Sequence, residues 1–314
     1  MSSSDNPQFE PQLPAGAETQ EPAAGASEPA TAGPIDPEGL TSAPLLLETA
    51  PVPSSPVGSS PVGSPPAENP LWNGWDVLLI ALLTIVTLIV VELLTVLGAR
   101  VFVYPHLRLS DLAQKPLTAL VGEFLSYVAV ITFMIMFMEG KYRAPFWRTI
   151  GWNWRGKATL KLFGIGVLTV SLDLLSRYLP MPKSTPFDQF FAHPSDAYLM
   201  AAFAISFGPL MEELFFRGFL YPVLARRTGI TGAVLLTSVL FGAIHYPQYR
   251  SWAAVLVVGL VGVVLALVRA ITKSVAASFV VHAGYNTTLM VLAAVATDGF
   301  RHMEKASAAS FSLR

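Results

Sequence analysis

The chain has 314 residues, of which 53% are hydrophobic and 13% charged, and its mean hydropathy is +0.53. Soluble domains carry about 25% charged residues, so this composition belongs to a protein whose solvent is largely lipid. A formal net charge of −1, with no basic stretch interleaved with aromatics, excludes a nucleic-acid platform. With no cysteine, disulfides, thiolate metal sites and cysteine nucleophiles are excluded as well.

Residues 1–70 hold nine Asp or Glu and no Lys or Arg, set among Pro, Ala, Ser and Gly, and the pentapeptide SSPVG repeats in tandem at 54–58 and 59–63. Such a segment buries too little apolar surface to offset its chain entropy, and it predicts a disordered acidic tail. Its first twenty residues lack the basic and apolar regions of a signal peptide.

From Trp72 the character changes. A spanning helix needs about 20 mostly apolar residues, and the sequence supplies candidates at Val77–Leu97, Leu117–Met138, Ala158–Ser176, Ala197–Arg226, Ile230–His245, Trp252–Ala270 and Val275–Ala296. The prediction is an all-α, polytopic membrane bundle of seven or eight helices. All six tryptophans, at 72, 75, 147, 152, 154 and 252, fall at predicted water–lipid boundaries, where an aromatic belt sits. The loop 139–157 carries five Lys or Arg, which places the tail on the cytoplasmic side. The segmentation is a tail over 1–70, helices and loops over 71–194, a helical core over 195–300 and a short tail over 301–314. The composition suggests a bacterial cytoplasmic membrane.

Three places concentrate polar groups within the spans: Glu212, Glu213 and Arg217; Phe241 and His245 in FGAIH; His282 and Asn286 in HAGYN. Ionisable groups at membrane depth need a partner or a function. Glu213 and Arg217, four apart, share a helix face and can pair, whereas Glu212 points about 100° away. Thr228 and Gly229 form a junction between the fourth and fifth spans. Glu213 lies 15 residues before Thr228 and His245 15 residues after Ile230, so both sit roughly 22 Å from the junction. His282 and Asn286, also four apart, enter from the same side near Lys273. Glu92, Glu123 and Asp173 stand singly near span ends and read as structural.

No G-x-S-x-G and no His-Glu-x-x-His occurs. A carboxylate beside two imidazoles and an amide suits general-base activation of water with hydrogen-bond donors to an oxyanion. The same Glu, His and His could instead ligate a zinc ion.

In order and spacing, Glu-Glu-x-x-x-Arg at 212–217, Phe-x-x-x-His at 241–245 and His-x-x-x-Asn at 282–286 resemble the motifs of the CPBP family, the CAAX proteases and bacteriocin-processing intramembrane endopeptidases also called Abi. The likeness covers about 195–297. It implies an intramembrane endopeptidase acting on a peptide or protein, membrane-anchored in the eukaryotic members, within a lipid bilayer. It implies that Glu212 activates water, that His245 assists, that His282 and Asn286 form the oxyanion site, and that Glu213, Arg217 and Phe241 support them. For the cofactor it leaves two forms, a metalloprotease with zinc on Glu212, His245 and His282, or a metal-free glutamate enzyme. Two other classes compete: a transporter relaying protons through the buried carboxylates, and a catalytically silent immunity-type protein on the same fold.

Overall fold

The computed structural model describes residues 68–302 apart from Arg155; the expected tail up to 67 and the C-terminal 303–314 lie outside the described residues. The first crossing, α1 (Gly74–Phe102), starts at a capping box. The Asn73 side chain accepts from the Trp75 and Asp76 amides, and Asp76 accepts in return from the Asn73 amide. Asp76 also receives Lys141 and Tyr142, which ties the start of α1 to the end of the next long helix, antiparallel to it. A short α2 (Leu109–Ala113) leads into α3 (Pro116–Tyr142), which begins with proline in the first turn, where an amide has no partner within the helix. α1 and α3 pack closely enough that a Cβ on Gly122 would lie 2.0 Å from a Glu92 oxygen.

After α4 (Phe146–Thr149) the third crossing is composite: a 3₁₀ turn, α5 (Thr159–Thr169), and a nine-residue 3₁₀ stretch, Val170–Tyr178. Another 3₁₀ turn, Pro186–Phe191, precedes the most interrupted part of the molecule. There α6 (Pro194–Ile205) breaks at Ser206, α7 (Phe207–Glu213) runs into a π-helical segment, Leu214–Leu220, and α8 (Tyr221–Ile244) follows. Gly229, at φ 73° and ψ 176°, breaks α8 in a conformation that suits glycine. The remaining helices are α9 (Tyr246–Tyr249), α10 (Trp252–Thr272) and α11 (Val275–Ala296).

Six helical stretches are long and apolar enough to cross a membrane, the fourth being the 56-residue run Pro194–Tyr249. That run crosses twice. Glu212 and His245 would be roughly 50 Å apart on one straight helix, yet their side chains lie 3.6 Å apart, so the chain doubles back at Gly229. The result is seven crossings, within the seven or eight expected, in an integral membrane protein with no strand among the described residues. Chain order then puts the start of α1, Gly151, Gly229 and Lys273 on one membrane face. The segments around 179–193 and 245–251 lie on the other.

Helices in lipid associate by close packing of small residues rather than by hydrophobic exclusion. α5 meets α11 at Gly166 and Gly284, where an added Cβ would come within 2.2 Å of the Val281 carbonyl and 2.6 Å of the Phe163 carbonyl. α8 meets α10 at Gly242, where it would come within 2.8 Å of the Val255 carbonyl. Outward-facing Leu82, Ile89, Leu93, Val239 and Ile271 are exposed, as a lipid-facing surface requires. Trp75, Trp154 and Trp252 are exposed at the boundaries, but Trp72 is not part of the belt: it is 1% exposed and donates its indole N–H to the Phe219 carbonyl. Glu68, Asn69 and Pro70, which composition assigns to the tail, are held by contacts to Arg269 and Arg226.

Candidate active site

The site begins with the change of helical register after the glutamate pair. A π turn holds one more residue than an α turn and rotates what precedes it, and such turns recur where side chains must be aimed. Here it follows directly on Glu213. Arg217, inside it, donates Nη1 to Glu213 Oε1 at 3.0 Å and Nη2 to the Gly262 carbonyl at 3.0 Å. Both side chains of this ion pair are fully buried, and the guanidinium lies 4.4 Å from the centre of the Phe241 ring. Glu213 Oε1 also meets His282 Nδ1 at 2.9 Å. One carboxylate oxygen thus joins α7, the π segment and α11.

Glu212 faces the other way, as its helical offset requires. Its Oε1 lies 3.6 Å from His245 Nε2 and its Oε2 3.6 Å from His282 Nε2. These distances exceed a direct hydrogen bond and leave each pair within reach of one shared water. His245 caps α8, and its Nδ1 lies 2.7 Å from the Phe241 carbonyl one turn earlier. A carbonyl only accepts, so Nδ1 carries the hydrogen and the neutral ring presents a lone pair at Nε2. The Phe-x-x-x-His spacing therefore sets the tautomer of the histidine through the phenylalanine's backbone. The Phe241 ring packs 4.9 Å from His245 and 5.8 Å from His282, and it spaces the two imidazoles.

Asn286 stands one turn along α11 from His282. Its Nδ2 donates to the Ala204 carbonyl at 2.6 Å, beside the break at Ser206. One amide hydrogen therefore holds the broken helix, and the side chain still lines the cavity.

The cavity has a volume of about 460 Å³, and Glu212, His245, His282 and Asn286 are on its wall. Phe187 and Phe190 from the 3₁₀ turn and Gln248 and Tyr249 from α9 also line it. These segments line the end of the cavity on the side of the bundle opposite Gly229 and Lys273. No Lys or Arg is among its lining residues. Glu123 and Tyr127 of α3 line it too, with the Tyr127 hydroxyl donating to Glu123 at 2.6 Å. Reading Glu123 as a lone structural group near a span end missed this. Hydropathy sets the depth of a residue but not the direction it faces, and only its spacing of four from Tyr127 hinted at a pair. Asp173 is likewise not isolated, since it accepts from Tyr285 at 3.1 Å.

The zinc set can be tested against this geometry. The two histidines address different oxygens of Glu212, and among the described residues no three His, Asp or Glu groups gather as the ligands of one metal ion.

Compared with protein families, residues 194–288 match the one described as type II CAAX prenyl endopeptidase Rce1-like. No curated protein and no solved structure matches the chain. All seven residues of the three motifs lie inside the matched segment.

Proposed function

Because this chain belongs, through residues 194–288, to the Rce1-like family of CAAX proteases, we propose that it hydrolyses a peptide bond with water activated by Glu212. Peptidase activity in a membrane is what the family supplies. The choice of residues and of a metal-free route is our reading.

A water between Glu212 and His245 meets two acceptors, the carboxylate and the Nε2 lone pair, and donates one hydrogen to each. Its own lone pair is left facing the cavity. As the water oxygen bonds to the carbonyl carbon, Glu212 takes the proton and the carbonyl oxygen becomes an oxyanion. The donors nearest that position are the remaining amide hydrogen of Asn286 and, when doubly protonated, His282 Nε2. The proton on Glu212 then passes to the leaving nitrogen as the C–N bond breaks. Glu213 and Arg217 hold this arrangement without touching substrate. The single observation behind the reading is that each oxygen of Glu212 stands 3.6 Å from an imidazole on the wall of one cavity. Neither a transporter nor a silent scaffold accounts for that set together with the family match.

The test is a peptide-library cleavage assay on detergent-purified protein, comparing wild type, Glu212→Gln and chelator-treated samples. The expected loss for Glu212→Gln is about 3 to 5 orders of magnitude in rate with the fold retained. Equal cleavage by this variant, or none by the wild type, overturns the reading. Activity lost on chelation and restored by zinc alone would replace the metal-free route.

A further inference from the structure

The π segment leaves a backbone carbonyl that the helix itself cannot satisfy. In an i to i+5 pattern the Arg217 carbonyl would take the amide of residue 222, but Pro222 has none. A side chain replaces it: Arg269 Nε, from α10, donates to the Arg217 carbonyl at 3.1 Å. The Phe219 carbonyl is taken by the Trp72 indole at 2.8 Å. Two residues distant in sequence thus complete the hydrogen bonding of the turn that directly follows Glu212 and Glu213.

Arg269 is 3% exposed, and a buried cation needs a counter-charge. Glu68 supplies it in a forked pair, with Nη1 to Oε1 at 2.5 Å and Nη2 to Oε2 at 2.7 Å, and Lys273 Nζ stands 3.6 Å from the same carboxylate. The backbone between is pinned as well, Arg226 donating to the carbonyls of Pro70 and Trp72. Glu68–Trp72 is therefore a strap across the base of the π segment. A cavity of about 340 Å³ beside Glu68 is lined by Arg269, Lys273, Thr149 and Gly151, with the Lys273 side chain 47% exposed.

We propose that Arg269 and Lys273 form a carboxylate receptor, filled by Glu68, and that the filled receptor with Trp72 fixes the π register that aims Glu212 at the histidines. Slipping that turn by one residue would rotate Glu212 by about 100° about the helix axis, away from His245 and His282. Glu68, Trp72 and Arg269 are positioning residues, acting from outside the cavity that holds Glu212. The aim of the proposal rests on Glu212 being the base, whereas the receptor stands apart from it.

The experiment uses the full chain in detergent, as wild type, Glu68→Ala and Trp72→Phe, with sodium acetate as the probe and sodium chloride at equal ionic strength as control. Acetate fits the space the alanine vacates and supplies the missing carboxylate. Glu68→Ala should lower kcat about 100-fold, the scale of a misplacement near 1 Å, with KM within about twofold because no contact to substrate is lost. Acetate, but not chloride, should restore kcat at least about tenfold and raise the melting temperature of this variant alone. Trp72→Phe loses the indole N–H and keeps the ring. It should lower kcat without response to acetate, and it decides the matter if Glu68→Ala does not fold.

Acetate that raises the melting temperature without restoring kcat overturns the positioning role. No response in either readout overturns the receptor, and wild-type kcat in Trp72→Phe overturns the register argument. If the wild type cuts no peptide, the reading of Glu212 and the positioning role fail together, and the melting experiment still decides the receptor.

Discussion

Arg217→Met removes a charge from the centre of the bundle while keeping most of the side-chain volume. Three contacts go with it: the 3.0 Å bond to Glu213, the 3.0 Å bond to the Gly262 carbonyl and the stacking 4.4 Å over Phe241. Glu213, fully buried, is left with its contact to His282. Breaking such a pair from one side costs about 3–5 kcal/mol, mostly from the charge left without its partner, whereas the Gly262 carbonyl lies within α10 and keeps its place in the helical ladder. We expect a loss of about 4 kcal/mol for Arg217→Met and about 3 kcal/mol for Glu213→Gln, whose amide can still accept from Arg217. In the double variant no buried charge faces an empty partner, so the combined loss should fall short of the sum by at least about 2 kcal/mol. Equilibrium unfolding in mixed detergent micelles, with helical content as the signal, measures the cycle. Losses that add to within about 0.5 kcal/mol would refute the claim that the two residues act as one neutral unit.

Gly166→Ala places a methyl 2.2 Å from the Val281 carbonyl and 2.8 Å from the Tyr285 amide, both backbone atoms. It should destabilise by about 2–3 kcal/mol. Gly164→Ala on the same helix meets nothing within 4 Å and should be neutral or stabilising by up to about 1 kcal/mol, as thermal unfolding of the two would show. His245→Gln keeps a polar group near the Phe241 carbonyl but lacks the imidazole lone pair, and single-turnover cleavage should slow about 10²- to 10⁴-fold with the fold unchanged by circular dichroism. Glu123→Gln removes a carboxylate from a cavity without Lys or Arg in its lining. Peptides with lysine beside the scissile bond should then lose roughly tenfold in kcat/KM relative to matched neutral peptides, and an equal effect on both would refute an electrostatic role.

Much of this arrangement can be read from the sequence because membranes impose simple rules. Apolar runs of about 20 residues mark the crossings, and equal counts from Gly229 bring the glutamate pair and His245 to one depth. A spacing of four puts Glu213 on Arg217, and the offset of one residue turns Glu212 away. Rotation about each helix axis is a different matter, because α3 is apolar on all sides and nothing local says that Glu123 faces the cavity. The π register is equally hidden: it depends on Pro222, on Arg269 and on Trp72, and the last two lie far along the chain. Trp72 shows the limit most clearly. At a water–lipid boundary it fits the pattern of a belt residue, and only the carbonyl of Phe219, 147 positions away, reveals that it points inward.

An odd number of crossings separates the strap from the end of the cavity lined by residues 186–190 and 247–249. A substrate entering at that end and a solute reaching the anchor would come from different aqueous compartments. In sealed vesicles, peptide added outside would meet only molecules whose Glu68 faces the lumen, and a small carboxylate that cannot cross the lipid would reach Arg269 only in the others. The protein is in this sense a two-sided device, in which the ionic conditions of one compartment bear on chemistry carried out from the other.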